Sequence, residues 1–227
     1  MPHEERLRRT LRGLLLACAL FGPVAAAAED LARDAAALRA DVPHGVVLYF
    51  KHCVSCHGRQ AWGDGIRVIP ALAGQREPYI IAQLAGFISG ARQGSAVHGP
   101  AMHDALQPPD VKRAQALRDL GAWLAQTAPN GAPEEGAGQA LAAGKRAYAE
   151  GCAGCHGTDG AGTLEGTPAL AGQHYSYLLT QLRGFTAGIR THAAGTDKAA
   201  LGTPDQQQAM ADYLSRLRLR GAAGGGK

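Results

Sequence analysis

At 227 residues the chain is long enough for one large domain or two small ones. Aromatic residues make up only 5% of it, thin material for cores of that size, so the core must draw on something besides large side chains. Lys and Arg exceed Asp and Glu by 23 to 19, a weak basic surplus that gives no reason to expect a nucleic-acid partner.

Residues 1–28 read as a secretory signal peptide. Arg6, Arg8, Arg9 and Arg12 form a basic n-region, Leu14 to Val24 a short apolar stretch, and Ala26-Ala27-Ala28 offers small residues for cleavage before Glu29. The apolar run is shorter than the roughly 18 residues of a membrane anchor. The mature protein is therefore expected in the periplasm, soluble or peripherally membrane-associated. Leu15-Leu16-Ala17-Cys18 loosely resembles a lipoprotein box, but the apolar run before it is too short, so Cys18 is read as part of the signal. Ala-rich residues 29–43 are expected to add a helix that caps a first domain spanning 29–127.

A helix from Gly45 to Lys51 leads into Cys53-Val54-Ser55-Cys56-His57, and one from Gly138 to Ala149 leads into Cys152-Ala153-Gly154-Cys155-His156. Cys-x-x-Cys-His is the attachment motif of c-type haem: the two cysteines form thioethers to the vinyl groups and the adjacent histidine becomes an iron ligand. A zinc site would use each cysteine pair as two of four ligands and needs no following histidine. Two covalently bound haem c groups follow, at Cys53 and Cys56 and at Cys152 and Cys155, with His57 and His156 on the irons. They would also supply apolar plates for aromatic-poor cores to pack on.

Repetition extends well beyond the motifs. Pro70-Ala-Leu-Ala-Gly-Gln75 returns as Pro168-Ala-Leu-Ala-Gly-Gln173, and Tyr79, Gln83, Phe87 and Arg92 return as Tyr177, Gln181, Phe185 and Arg190. Helices are expected over Pro78–Ser89 and Ser176–Ala187. Asp110–Thr127 carries an amphipathic stripe through Leu117, Leu120, Trp123 and Leu124. Residues 128–138, rich in Pro, Gly and charge, read as a linker with few packing contacts. The second domain spans 139–220, and its last helix is capped by Thr203 with Pro204 at the first position. Residues 221–227 read as a disordered tail. No alternating β-branched run points to a sheet, so the fold class is all-α.

Together these motifs resemble the tandem two-haem class I cytochromes c of the c-four type, over roughly residues 43–218. The resemblance implies two small helical domains, each wrapped around one haem, and electron transfer between the haems. It implies that the Pro70 and Pro168 carbonyls accept a hydrogen bond from the axial histidines. It also implies a methionine as the sixth ligand, a role that Met102 in Gly99-Pro-Ala-Met-His103 matches, with a core filler as the alternative. His98 and His103 read as solvent-facing or propionate-bonded, and His174 as lying near a propionate.

The second repeat departs from the pattern. Phe87 to Trp123 spans 36 positions and Phe185 to Tyr213 spans 28, so the ligand loop is eight residues shorter and Asp197 falls where Met102 should recur. Met210 lies on the apolar stripe of the last helix and reads as core. His192, Lys198 or an open position remain for the second iron, with His192 named as the candidate.

The function expected is that of an electron carrier in a respiratory chain, not an enzyme, with no catalytic residue. Its partners would be redox proteins: a quinol-oxidising complex or dehydrogenase as donor, a terminal oxidase or reductase as acceptor. The alternatives are a haem subunit fixed to a periplasmic dehydrogenase, or a ligand-binding or enzymatic role at an open second haem.

Overall fold

The computed structural model describes residues 24–92, 94, 99–163, 166–192 and 201–219. Cys18, His98, Asp197, Lys198, most of the signal segment and the C-terminal tail lie outside them. The described residues form helices and no strand; the only pairing is one isolated bridge between Asp64 and Ile69. No helix among them is long and apolar enough to cross a membrane.

The first half contains α1 (24–36), α2 (Val42–His52), α3 (Val54–His57), α4 (Glu77–Ser89), α5 (Gly99–Ala105) and α6 (Ala114–Gln126). The second contains α7 (Leu141–Gly151), α8 (Ala153–His156), α9 (Tyr175–Thr186) and α10 (Pro204–Ser215). Local chemistry sets several boundaries. Asp41 caps α2 by accepting the His44 N–H, with Pro43 in the first turn. Thr203 and Gln206 form a reciprocal capping box on α10, with Pro204 at its first position.

In each half the helix that leads into the cysteine motif crosses the last one, α2 on α6 and α7 on α10. At Gly45 a side chain would run into the Asp119 carbonyl, and at Gly144 into the Ala209 carbonyl, so both crossings bring backbone against backbone. Aromatic pairs close beside them: Tyr49 and Trp123 have ring centroids 4.4 Å apart, and Tyr148 and Tyr213 5.9 Å apart. Such pairs contribute about 0.5–1.5 kcal/mol beyond the area they bury. The first core gathers Tyr49, Ile80, Ile81, Leu117 and Leu120; the second gathers Tyr148, Leu178, Leu179, Met210 and Leu214. Helix α1 contributes Ala35, fully buried, to the first core.

Three expectations need correction. Helix α6 begins at Ala114, not Asp110, because the Asp110 carboxylate is engaged elsewhere: Lys51 Nζ donates to it at 2.6 Å and His52 Nε2 lies at 3.0 Å. Met102 lies on a seven-residue helix, α5, rather than in an irregular loop; Pro100 suits a helical first turn and Ala101 and Ala105 propagate it. The linker is well packed. Both Glu134 carboxylate oxygens serve Ser176 at the start of α9, the Glu134 carbonyl accepts from Tyr175, and Gly138 N–H donates to Asp212 on α10. Its charged and glycine residues cap and tie helix ends, which composition alone does not reveal.

Candidate haem sites and the contact between them

Both attachment motifs have the same local build. Cys53 ends α2 and Cys56-His57 closes α3; Cys152 ends α7 and Cys155-His156 closes α8. None of the four motif cysteines is in a disulfide; Cys56 and Cys155 are exposed, Cys53 and Cys152 half-buried. Burial, reinforced by Cys56, pushes the Cys53 thiol up to about 12, and burial with Cys155 raises Cys152. The chain leaves each motif through Gly58 and Gly157, at φ 75° and 79°, a left-handed conformation suited to glycine. Their carbonyls accept the hydroxyls of Tyr49 and Tyr148, each at 2.5 Å, so one core tyrosine fixes each turn.

His57 and His156 are buried, and each donates its Nδ1–H to a proline carbonyl: Pro70 at 3.1 Å and Pro168 at 3.0 Å. This is the bond the family resemblance implies. It selects the tautomer with a bare Nε2, the atom a metal binds. Burial lowers the His156 pKa against the opposing pull of the Pro168 bond, favouring the neutral ring that coordination needs.

The remaining candidates separate by position. Met102 is half-buried and packs against the first core. His103 Nδ1 lies 2.9 Å from the Phe87 carbonyl, which ties α5 to the end of α4. Met210 is buried in the second core, beside Gly144, where Leu120 stands beside Gly45 in the first half. The His192 ring centre lies 6.1 Å from that of His156 and 4.9 Å from that of Phe185, the latter edge-on at 84°. Burial, then the charges of His156 and Arg190, lower the His192 pKa.

Between the two halves lies a reciprocal contact that the repeated residues make. Gln75 donates to the Ala169 carbonyl at 2.9 Å and accepts from the Ala169 N–H at 2.8 Å; Gln173 does the same to Ala71, at 3.0 and 2.9 Å. Each glutamine thus grips the residue next to the proline that orients the other half's histidine. Further out, Arg92 donates to the Tyr177 hydroxyl at 3.2 Å and Arg190 to that of Tyr79 at 2.8 Å. Burial raises the Tyr177 pKa, but the Arg92 and Arg190 guanidiniums outweigh it and the net shift is downward. Arg76 donates to the Gly162 carbonyl at 3.0 Å, and His174, its counterpart, lies 2.8 Å from the Trp62 carbonyl through Nε2. His174 Nδ1 accepts from the Glu134 N–H, so both ring nitrogens are spent on backbone and none is left for a propionate. The repetition of Gln75 as Gln173 was visible in the sequence; that each serves the opposite half was not.

The donor set fits a c-type haem. Each motif offers two thiols beside one histidine with its tautomer fixed. The buried Nε atoms of Arg76, Arg92 and Arg118 have no acceptor among the described residues, and the carboxylates of a haem beside Arg76 and Arg92 would supply one. Among the described residues no three His, Cys, Asp or Glu side chains converge, so the cysteine pairs do not combine into a zinc site.

A family model described as Cytochrome c matches residues 42–128 and 141–218. A thiosulfate dehydrogenase electron acceptor from Thiomonas intermedia (strain K12) is 31% identical over 179 residues, covering 74% of this chain and 79% of its own. The reduced recombinant cytochrome c4 from Pseudomonas stutzeri superposes with a TM-score of 0.65 at 27% identity, covering 79% of this chain and 100% of that one. A thiosulfate dehydrogenase from Marichromatium purpuratum superposes with a TM-score of 0.64 at 28% identity over 78% of this chain. The match spans 40% of that dehydrogenase chain, which extends well beyond it.

Proposed function

Since the chain belongs to the cytochrome c family, as a dihaem electron-transfer protein of the c4 type with two covalent haem c groups, we propose that it is a periplasmic carrier. It takes single electrons from a quinol-oxidising complex or dehydrogenase and delivers them to a terminal oxidase or reductase. In this reading residues 1–28 are a signal peptide removed on export.

Cys53 and Cys56 would hold the first haem by thioethers and Cys152 and Cys155 the second. His57 and His156 would each bind an iron, with Met102 opposite His57. A bound haem supplies a one-electron iron couple. The chain's own residues position and insulate it: Pro70 and Pro168 orient the histidines, Tyr49 and Tyr148 fix the turns behind them, and Gln75 and Gln173 lock the two sites together. None of this needs a nucleophile or a general base. The reciprocal glutamine contact carries the reading, because it ties together the backbones behind both histidines and so keeps the two sites next to each other, which favours passage of electrons between them.

The test is a redox titration of the purified holoprotein together with turnover assays. Two reversible one-electron steps, with no turnover of thiosulfate, nitrite or peroxide, are expected. Turnover of any of these by the isolated protein, abolished by His156→Ala, would overturn the carrier reading. The thiosulfate dehydrogenase relatives favour a second reading, a haem subunit fixed to a periplasmic dehydrogenase. That reading requires a second chain at constant stoichiometry through purification.

A further inference from the structure

We propose that His192 is the second axial ligand of the haem attached at Cys152 and Cys155, so that its iron is bound by two histidines while the first domain's is bound by a histidine and a methionine. The inference rests on the attachment of haem at that motif and deepens the carrier reading by giving the electron path a direction.

Three observations carry it. The first is separation. The ring centres of His156 and His192 lie 6.1 Å apart. One metal ion between two imidazole nitrogens, with bonds of about 2 Å and about 1.1 Å from each nitrogen to its ring centre, needs about 6.2 Å. The second is support. The edge-on Phe185 ring holds His192, and the Arg190 guanidinium lies over Phe185 at 4.8 Å. Arg190 is itself fixed by Gln181 at 2.5 Å, by Tyr79 at 2.8 Å and by Gln83 at 3.0 Å. The short segment bearing His192 is thus tied to both domains before the shortened loop begins.

The third is register. His192 stands two residues after Arg190, and two residues after Arg92 stands Gly94. Gly94 has φ 73°, and a side chain there would press on Phe87 and Gly99. The first domain therefore has no room for a ligand at this position and carries Met102 on α5, nearby in sequence. The second domain lacks that methionine, keeps Met210 in its core, and places an imidazole where the first has a hydrogen. Imidazole is a ligand type that suits iron.

The consequence is a built-in polarity. Methionine ligation raises the potential of a c-type haem relative to histidine ligation. Electrons are therefore taken up through the second domain and given up through the first, and the second iron is closed to added ligands.

The experiment is low-temperature EPR and carbon monoxide titration of the holoprotein and two variants, with haem counted per chain. Wild type should show one histidine–methionine and one bis-histidine low-spin signal and bind no carbon monoxide. His192→Ala should exchange the bis-histidine signal for a high-spin one and bind one carbon monoxide per chain when reduced. His192→Met, the variant to use if the alanine form does not accumulate, should add a second thioether–iron absorption band and raise the lower of the two potentials. Unchanged spectra in either variant, or two methionine-ligated haems in wild type, would overturn the assignment while leaving the carrier reading intact. Fewer than two haems per chain would instead overturn the attachment on which both depend.

Discussion

Asp110 illustrates how one side chain chooses between roles. After Pro108-Pro109 it has the look of a helix cap, yet its carboxylate ties the end of α2 through Lys51 and His52 and the helix starts four residues later. Hydrogen bonds from Lys51, then His52, hold its carboxyl well below the usual carboxylate range. A depressed acid contributes stability above its unfolded pKa, about 3.9 for aspartate, and that contribution is lost as pH falls through the folded value. The pair is solvent-exposed, so the effect is modest. Asp110→Asn should lower the urea midpoint slightly at pH 7, and the gap from wild type should close progressively below about pH 4. A gap that stays constant down to pH 2 would refute the ion pair as its source. What sequence disclosed at this scale was covalent and local: two cysteines and a histidine within five residues have one principal use. Which partner a lone carboxylate takes depends on α2, some 60 residues away, and no local pattern encodes it.

Helix crossings are the next level at which sequence and fold meet. Gly45 and Gly144 recur in the same place of each repeat, and each lets one helix lie on a carbonyl of another, Asp119 in the first half and Ala209 in the second. The glycines are legible because a missing side chain is required; their partners are not, because only backbone is touched and residue type there is free to drift. The same drift lets Met210 occupy in the second core the place Leu120 has in the first. Gly144→Ala should cost about 1–3 kcal/mol by overpacking the α7–α10 crossing, read as a lower guanidinium midpoint of the holoprotein, and Gly45→Ala should cost a similar amount. Stabilisation by alanine, the usual result at an unobstructed helical glycine, would show that the helices do not approach this closely.

At the scale of the whole molecule the two domains act on each other through residues that the repeat displayed but could not explain. Composition marked 128–138 as a loose linker, whereas Glu134 binds the start of α9 and His174 bridges that linker to Trp62. Each repeated glutamine follows its own Pro-Ala-Leu, yet its bonds run to residues about a hundred positions away, beyond any periodicity. Gln173 grips Ala71, and Ala71 follows the proline whose carbonyl orients His57. The second domain therefore helps set the tautomer and angle of His57. Gln173→Ala should leave the buried Ala71 N–H and carbonyl unpaired, at about 1–3 kcal/mol for each group left unsatisfied, and should alter the spectrum and potential of the first haem although the substitution lies in the other domain. Gln75→Ala should do the reverse, and because both act on one contact their effects should not add. In the double variant each domain should stay folded and haem-bearing while the linker becomes open to proteases. If Gln173→Ala instead perturbed only the second haem, the glutamine would be serving its own domain, and the coupling of the two sites would have to run through Arg92, Arg190 and their tyrosine partners.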